Sequence, residues 1–158
     1  MRLTSFTDYT LRSLIYLGMH RDQLVTIQDI ADLHGISKNH LTKVVHQLGV
    51  SGLVETVRGR HGGLRLAKEP ADICIGEVVR MSESDFHIAE CFDSTRQGCA
   101  LHQGCALKAK LNKATEAFLA VLDEVTLAEM LPGARSTAGA AILGQPIVFH
   151  PLPKAGTA

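Results

Sequence analysis

Thr26-Ile27-Gln28-Asp29-Ile30-Ala31-Asp32-Leu33-His34-Gly35-Ile36-Ser37-Lys38-Asn39-His40-Leu41-Thr42-Lys43-Val44-Val45-His46-Gln47-Leu48-Gly49 spells two short helices joined by a tight turn. Thr26 precedes the apolar positions Ile27, Ile30 and Ala31, and Asp29 falls at the third helical position, the arrangement of a capping box. His34-Gly35 stops this helix, because glycine accepts the left-handed conformation that ends helices. Ser37 is placed to cap the next helix, whose buried stripe is Leu41, Val44, Val45 and Leu48, with Gly49 expected to close it. Paired short helices about a glycine turn are the helix-turn-helix signature.

The opposite face of the second helix carries Lys38, Asn39, His40, Lys43 and His46. Ser37 to His40 lie at its N-terminal end, the part that enters the major groove in helix-turn-helix proteins. Asparagine can read adenine bidentately, and lysine can reach guanine edges or phosphates. Gln28 on the first helix is grouped with this face. Singly, each of these side chains is also what a solvated surface would show; as a set on one face they point to duplex recognition.

Downstream, Leu53-Val54-Glu55-Thr56-Val57 and Leu64-Arg65-Leu66 flank Arg58-Gly59-Arg60-His61-Gly62-Gly63, which reads as a β-hairpin. After a helix-turn-helix such a hairpin is a wing. Its tip, with Arg58, Arg60, His61, Gly62 and Gly63, suits close approach to the sugar-phosphate backbone or a minor groove. Upstream, Leu11, Leu14, Ile15 and Gly18 predict a helix over about residues 8–20, with Thr7 as its cap.

Net charge over all 158 residues is zero, yet the halves differ. Residues 1–68 hold nine Lys/Arg against five Asp/Glu, a net +4; residues 69–158 hold seven against eleven, a net −4. A clustered positive field is the footprint of a phosphate-binding face. No apolar run approaches the ~18 residues of a membrane span. The N-terminal stretch lacks a secretory signal, so a cytoplasmic chain is expected. There the four cysteines are not expected to form structural disulfides.

Beyond Pro70-Ala71-Asp72, the residues Ile75, Val78 and Val79 predict a short helix packed back on the head, with Cys74 read as a buried apolar residue. The expected organisation is a winged helix-turn-helix domain over 1–83, a cysteine-bearing loop over 84–104, and a dimerisation helix with a short cap over 105–131. A tail over 132–158, rich in Gly, Ala and Pro, is expected to be disordered. The fold class is mainly α with a small β wing. In the long helix, Leu107, Leu111, Ala114, Phe118, Val121 and Val125 step by four and three residues, a seam for another helix. A second copy of the chain is the expected partner, with packing on its own head as the alternative. Thr126-Leu127-Ala128-Glu129 offers a further capping box.

Cys91, Cys99 and Cys105 lie in the polar loop. Thiolates in a loop make poor core material and good ligands for soft metals. Their spacing lacks the paired Cys-x2-Cys knuckles of a zinc ribbon. Three thiolates with His87 or His102 could close a zinc site. They could equally hold an iron–sulfur cluster whose remaining iron takes an oxygen or nitrogen ligand. No nucleophile–base pair or phosphate loop indicates an enzyme.

The opening Met1 to Tyr9, the run Ile30-Ala31-Asp32 to Leu41, the wing tip and the three cysteines together resemble the Rrf2-type iron–sulfur winged-helix regulators, over about residues 1–131. Glu90-Cys91-Phe92-Asp93 and Ala117 to Asp123 resemble the nitric-oxide-sensitive repressors of that family. The resemblance implies a homodimer on operator DNA with one cluster per subunit, of [4Fe–4S] or alternatively [2Fe–2S] type. Cys91, Cys99 and Cys105 would be its ligands, with Asp8 of the partner subunit as the fourth. Arg12, one turn on, could pair with Asp8. A related branch, which uses a histidine three residues after its third cysteine, fits less well, since Lys108 stands there. The implied function is repression relieved by nitric oxide. The alternative is a related iron–sulfur or zinc regulator sensing cluster status, iron or redox stress.

Overall fold

A computed structural model describes residues 2–93, 95, 99 and 105–133. The expected tail beyond 133 and His102 lie outside these described residues. The elements run α1 (Ser5–Met19), α2 (Ile27–His34), α3 (Lys38–Val50), β1 (Val54–Val57), β2 (Gly63–Leu66), α4 (Ile75–Ser82) and α5 (Ala106–Asp123), with 3-10 turns at Pro70–Asp72, Glu90–Phe92 and Leu127–Met130. The fold is mainly helical with one two-stranded antiparallel wing, as the sequence predicts.

The helix-turn-helix forms as its caps dictate. The Thr26 hydroxyl accepts from the Asp29 amide while the Asp29 carboxylate accepts from the Thr26 backbone. Those bonds from the Thr26 backbone and hydroxyl hold the Asp29 carboxyl below its usual range, with nearby His20 a lesser cause. Gly35 ends α2 in the left-handed conformation, φ 63°. Leu41, Val44, Val45 and Leu48 of α3 are all buried. They meet Leu14 and Leu17 of α1, Ile30 of α2 and Val78 and Val79 of α4 in one core. Each such side chain stabilises the head by roughly 1.5–3 kcal/mol when fully buried.

Several boundaries differ from expectation. Helix α1 begins three residues earlier than predicted, capped by Thr4, whose hydroxyl accepts from the Thr7 amide; Thr7 itself is buried inside the helix. Helix α3 continues one residue beyond Gly49, to Val50, and Gly52 supplies the positive φ that turns the chain into β1. The wing pairs Val54 with Leu66 and Val57 with Gly63, so Gly63 belongs to a strand and not to the tip. Val25 adds a bridge to this hairpin, exchanging backbone hydrogen bonds of 3.0 and 2.7 Å with Leu64.

Cys74 is not a core residue. It is half-buried at the N-terminal end of α4, and its Sγ lies 3.5 Å from the Asp123 carbonyl. The far end of α5 returns to the head. The Ile75 amide donates to the Val125 carbonyl, the Leu127 amide donates to the Ile73 carbonyl, and Leu127 is fully buried in the common core. Arg80 of α4 binds both carboxylate oxygens of Asp123, one at 2.7 Å, which holds that carboxyl below its usual range. A side chain at Gly76 would collide with Asp123, so glycine is what lets the two helices close here.

The predicted seam of α5 divides. Leu107 and Val121 are 65% and 64% exposed and Ala114 is exposed, whereas Leu111, Phe118 and Val125 are half-buried in their own chain. Residues spaced by seven share a stripe, so one stripe faces outward and its neighbour is partly covered.

Candidate functional site

Helix α3 presents Ser37, Lys38, Asn39, His40 and Lys43 on an exposed face. Ser37 sits at the N-cap without bonding the helix, so its hydroxyl is available, and no acid occupies the first turn. Unsatisfied amides there add the positive end of the helix dipole to the lysine charges, an arrangement suited to phosphate. On α2, Gln28 is exposed and donates to Asp32 Oδ1 at 2.7 Å, which orients its amide. His40 lies against Tyr9 of α1, ring centroids 6.1 Å apart. The two line an apolar hollow of about 240 Å³ with Phe6, Lys43 and Val44. That contact was invisible in the sequence, since its partners lie far apart along the chain.

At the wing, Arg58, Arg60 and His61 are exposed around Gly59, which turns the tip at φ 124°. Gly62 and Gly63, expected at a nucleic-acid contact, have structural duties as well. A Cβ on Gly62 would collide with the Val57 carbonyl, and one on Gly63 would lie 2.9 Å from Leu24 Cβ and Val25 O. Ion pairing sorts the cations of the head. Arg12, Arg21 and Arg65 pair with Asp8, Glu69 and Glu55. Among the described residues of the head, Arg2, Lys38, Lys43, Arg58, Arg60 and Lys68 have no carboxylate ion pair, and four of these six lie on α3 and the wing tip.

The cysteine site follows the head along the chain. Cys91 is half-buried in the Glu90–Phe92 turn, Cys105 is half-buried at the N-cap of α5, and Cys99 is exposed. Lys108 Nζ stands 5.7 Å from the Phe92 ring centroid, which brings the two feet of the loop together. Asp93, beside Cys91, accepts from the Thr95 hydroxyl at 2.6 Å and amide at 2.8 Å, and these bonds hold its carboxyl below the usual range. Among the described residues no three Cys, His, Asp or Glu side chains converge as a closed ligand cage. His87 lies 3.7 Å from Asp85 rather than with the cysteines. All four thiols are free. Soft sulfur donors of this kind suit an iron–sulfur cluster or zinc, and exclude magnesium or calcium, which take oxygen ligands. Asp8 is partly exposed on the first turn of α1 and accepts from Arg12 Nε at 2.9 Å. The Thr4 amide donates to Glu83 Oε1 at 2.7 Å, fastening the start of α1 to the segment that leads into the cysteine loop.

The fold and the charged face define a winged helix-turn-helix DNA-binding regulator. The family described as Rrf2, iron-dependent transcriptional regulator, matches residues 3–133. The NsrR HTH-type transcriptional regulators of Bacillus licheniformis and Bacillus subtilis are each 52% identical over 132 residues, covering 83% of this chain and 92% and 90% of theirs. Among solved structures, T. potens IscR superposes with a TM-score of 0.68 at 27% identity, covering 92% of this chain and 94% of that one. CymR, the global cysteine regulator of B. subtilis, superposes with a TM-score of 0.67 at 26% identity, covering 82% and 95%. The chain belongs to the Rrf2 family of transcriptional regulators. It is a regulator and not an enzyme. No described helix is long and apolar enough to cross a membrane.

Proposed function

We propose that this regulator is a homodimeric repressor of NsrR type whose grip on operator DNA is relieved by nitric oxide through an iron–sulfur cluster. Cys91, Cys99 and Cys105 would hold the cluster, and Asp8 of the partner subunit would complete the ligand set. The observation that carries this reading is the approach of the two feet of the cysteine loop, where Lys108, three residues after Cys105, lies over the ring of Phe92, the neighbour of Cys91. The likeness to NsrR proteins over 132 residues agrees with it. When bound, the cluster supplies an iron centre open to nitric oxide, of [4Fe–4S] type on the family resemblance.

The rest of the mechanism belongs to the chain. As a ligand, Asp8 would tie α1 of one subunit to the cysteine loop of the other and would set the spacing of the two α3 helices. Half-site spacing on DNA is geometrically fixed, so a small displacement of one head lowers affinity. Without that ligation Asp8 pairs with Arg12, as it does here. Helix α1 packs directly on α3, with Tyr9 beside His40, so its movement reaches the reading helix without an intermediary. Lys38, Asn39, Lys43 and Gln28 engage the major groove and its phosphates, while Arg58, Arg60 and His61 approach the backbone from the wing.

Anaerobically purified protein is expected to hold roughly four irons and four sulfides per subunit, and stoichiometric zinc instead would refute the cluster. In gel-shift titration the loaded protein should bind its operator and release it on adding nitric oxide. Equal binding by loaded and stripped protein would remove the switch.

A further inference from the structure

We infer that residues 134–158 of this chain dock in cis on the outer face of α2 and the last turn of α1. That region carries large apolar side chains left exposed among the described residues. Met19 is 51% exposed, Leu33 61% and Met130 44%. Leu33 and Asp29 share one side of α2, four residues apart. Tyr16 lies against the His20 ring, centroids 4.2 Å apart, and edge-on to the His34 ring at 6.3 Å, so the end of α1 and α2 form one continuous surface. Its rim is acidic, with Asp22, Asp29 and Asp32, while the neighbouring Arg21 is neutralised by Glu69.

The remaining chain starts beside this surface. Leu131 rests on Gly18, so the described chain ends at Gly133, two residues beyond a contact with the last turn of α1. Residues 134–158 are complementary to what they would cover. They contain Arg135 and Lys154, no Asp or Glu, and the apolar run Ile147-Val148-Phe149. From Gly133 to Ile147 an extended chain reaches up to about 3.3–3.6 Å per residue, more than enough to cross α2. The Rrf2 family match ends at residue 133, so this docking is a property of this chain and does not rest on the proposed switch.

Hydrogen exchange on the full chain, compared with a chain ending at Gly133, tests the proposal. Amides of residues 16–20 and 29–34 should exchange at least about tenfold faster without the tail, while those of α4 stay unchanged; equal rates overturn it. Should the shortened chain fail to fold, Phe149→Ser and Leu33→Ser in the full chain should each release the same amides, and unchanged protection in both overturns the docking. Zero-length carboxyl–amine coupling of the full chain should join Lys154 to Asp22, Asp29 or Asp32. A mixture of light and heavy isotope-labelled protein gives only unmixed products if each tail covers its own head. Mixed products assign the tail to the partner and overturn docking in cis, and coupling only to other acids overturns the site.

Discussion

Gly63 illustrates how a residue chosen for one reason can be held by another. The sequence places it with Gly62 at a DNA-contacting tip. Yet its missing side chain is what admits Leu24 and Val25 against β2, at 2.9 Å from where a Cβ would stand. Gly63→Ala should therefore destabilise the head by about 1–3 kcal/mol, the usual range for overpacking, measured by denaturant unfolding. An unchanged midpoint would show that the Val25–Leu64 bridge gives way freely. Asp123 offers a second case. Its carboxyl is held down by Arg80, so the pair's contribution is present above the ordinary carboxylate pKa and is lost as pH falls through the depressed value. Carboxyl titration followed by NMR should place Asp123 below the usual aspartate range, and Arg80→Ala should return it there. Neither the Gly76–Asp123 approach nor Cys74's place at a helix end could be read along the chain, because the partners are more than forty residues apart. The capping residues Thr26 and Asp29 were legible, since both ends of that interaction lie within four positions.

Elements were more readable than single contacts, because a period of 3.6 or 2 residues is a local signal. The apolar stripe of α3 and the alternation of the wing place both elements to within a residue or two, whereas the cap of α1 was misplaced because Thr4 and Thr7 are equally good candidates on type alone. The periodicity of α5 revealed a seam but could not apportion it between the chain's own head and a second copy. Removing phosphate contacts tests the reading elements. Arg58→Ala and Arg60→Ala should each weaken operator binding nearly uniformly across sequences and reduce the salt slope by about one. Asn39→Ala should instead relax preference at one base position, at about 1–3 kcal/mol. On α5, Val121→Glu should split the proposed homodimer in sedimentation while leaving the head's unfolding midpoint in place, since Val121 is 64% exposed. A dimer that survives would move the interface elsewhere.

At the scale of the whole molecule, a net charge of zero conceals a basic head and an acidic remainder, and ion pairing leaves four of the head's six free cations on α3 and the wing tip. Stripping the proposed cluster with a chelator should leave the head folded, since its core runs from Leu14 to Leu127 without any cysteine. Circular dichroism should change little while operator affinity falls; loss of the helical signal would show that the metal centre also holds the fold together. Helix α5 bears on how such a centre could act at a distance. It is fastened at Asp123, Val125 and Leu127, while its opposite end begins at Cys105, and eighteen residues at 1.5 Å each separate those ends by about 27 Å. Between those ends Thr115 is buried and Leu119 and Leu122 pack against the core. Slackening among the thiols would therefore be felt first in the opening turn of α5, the stretch farthest from its anchorage on α4.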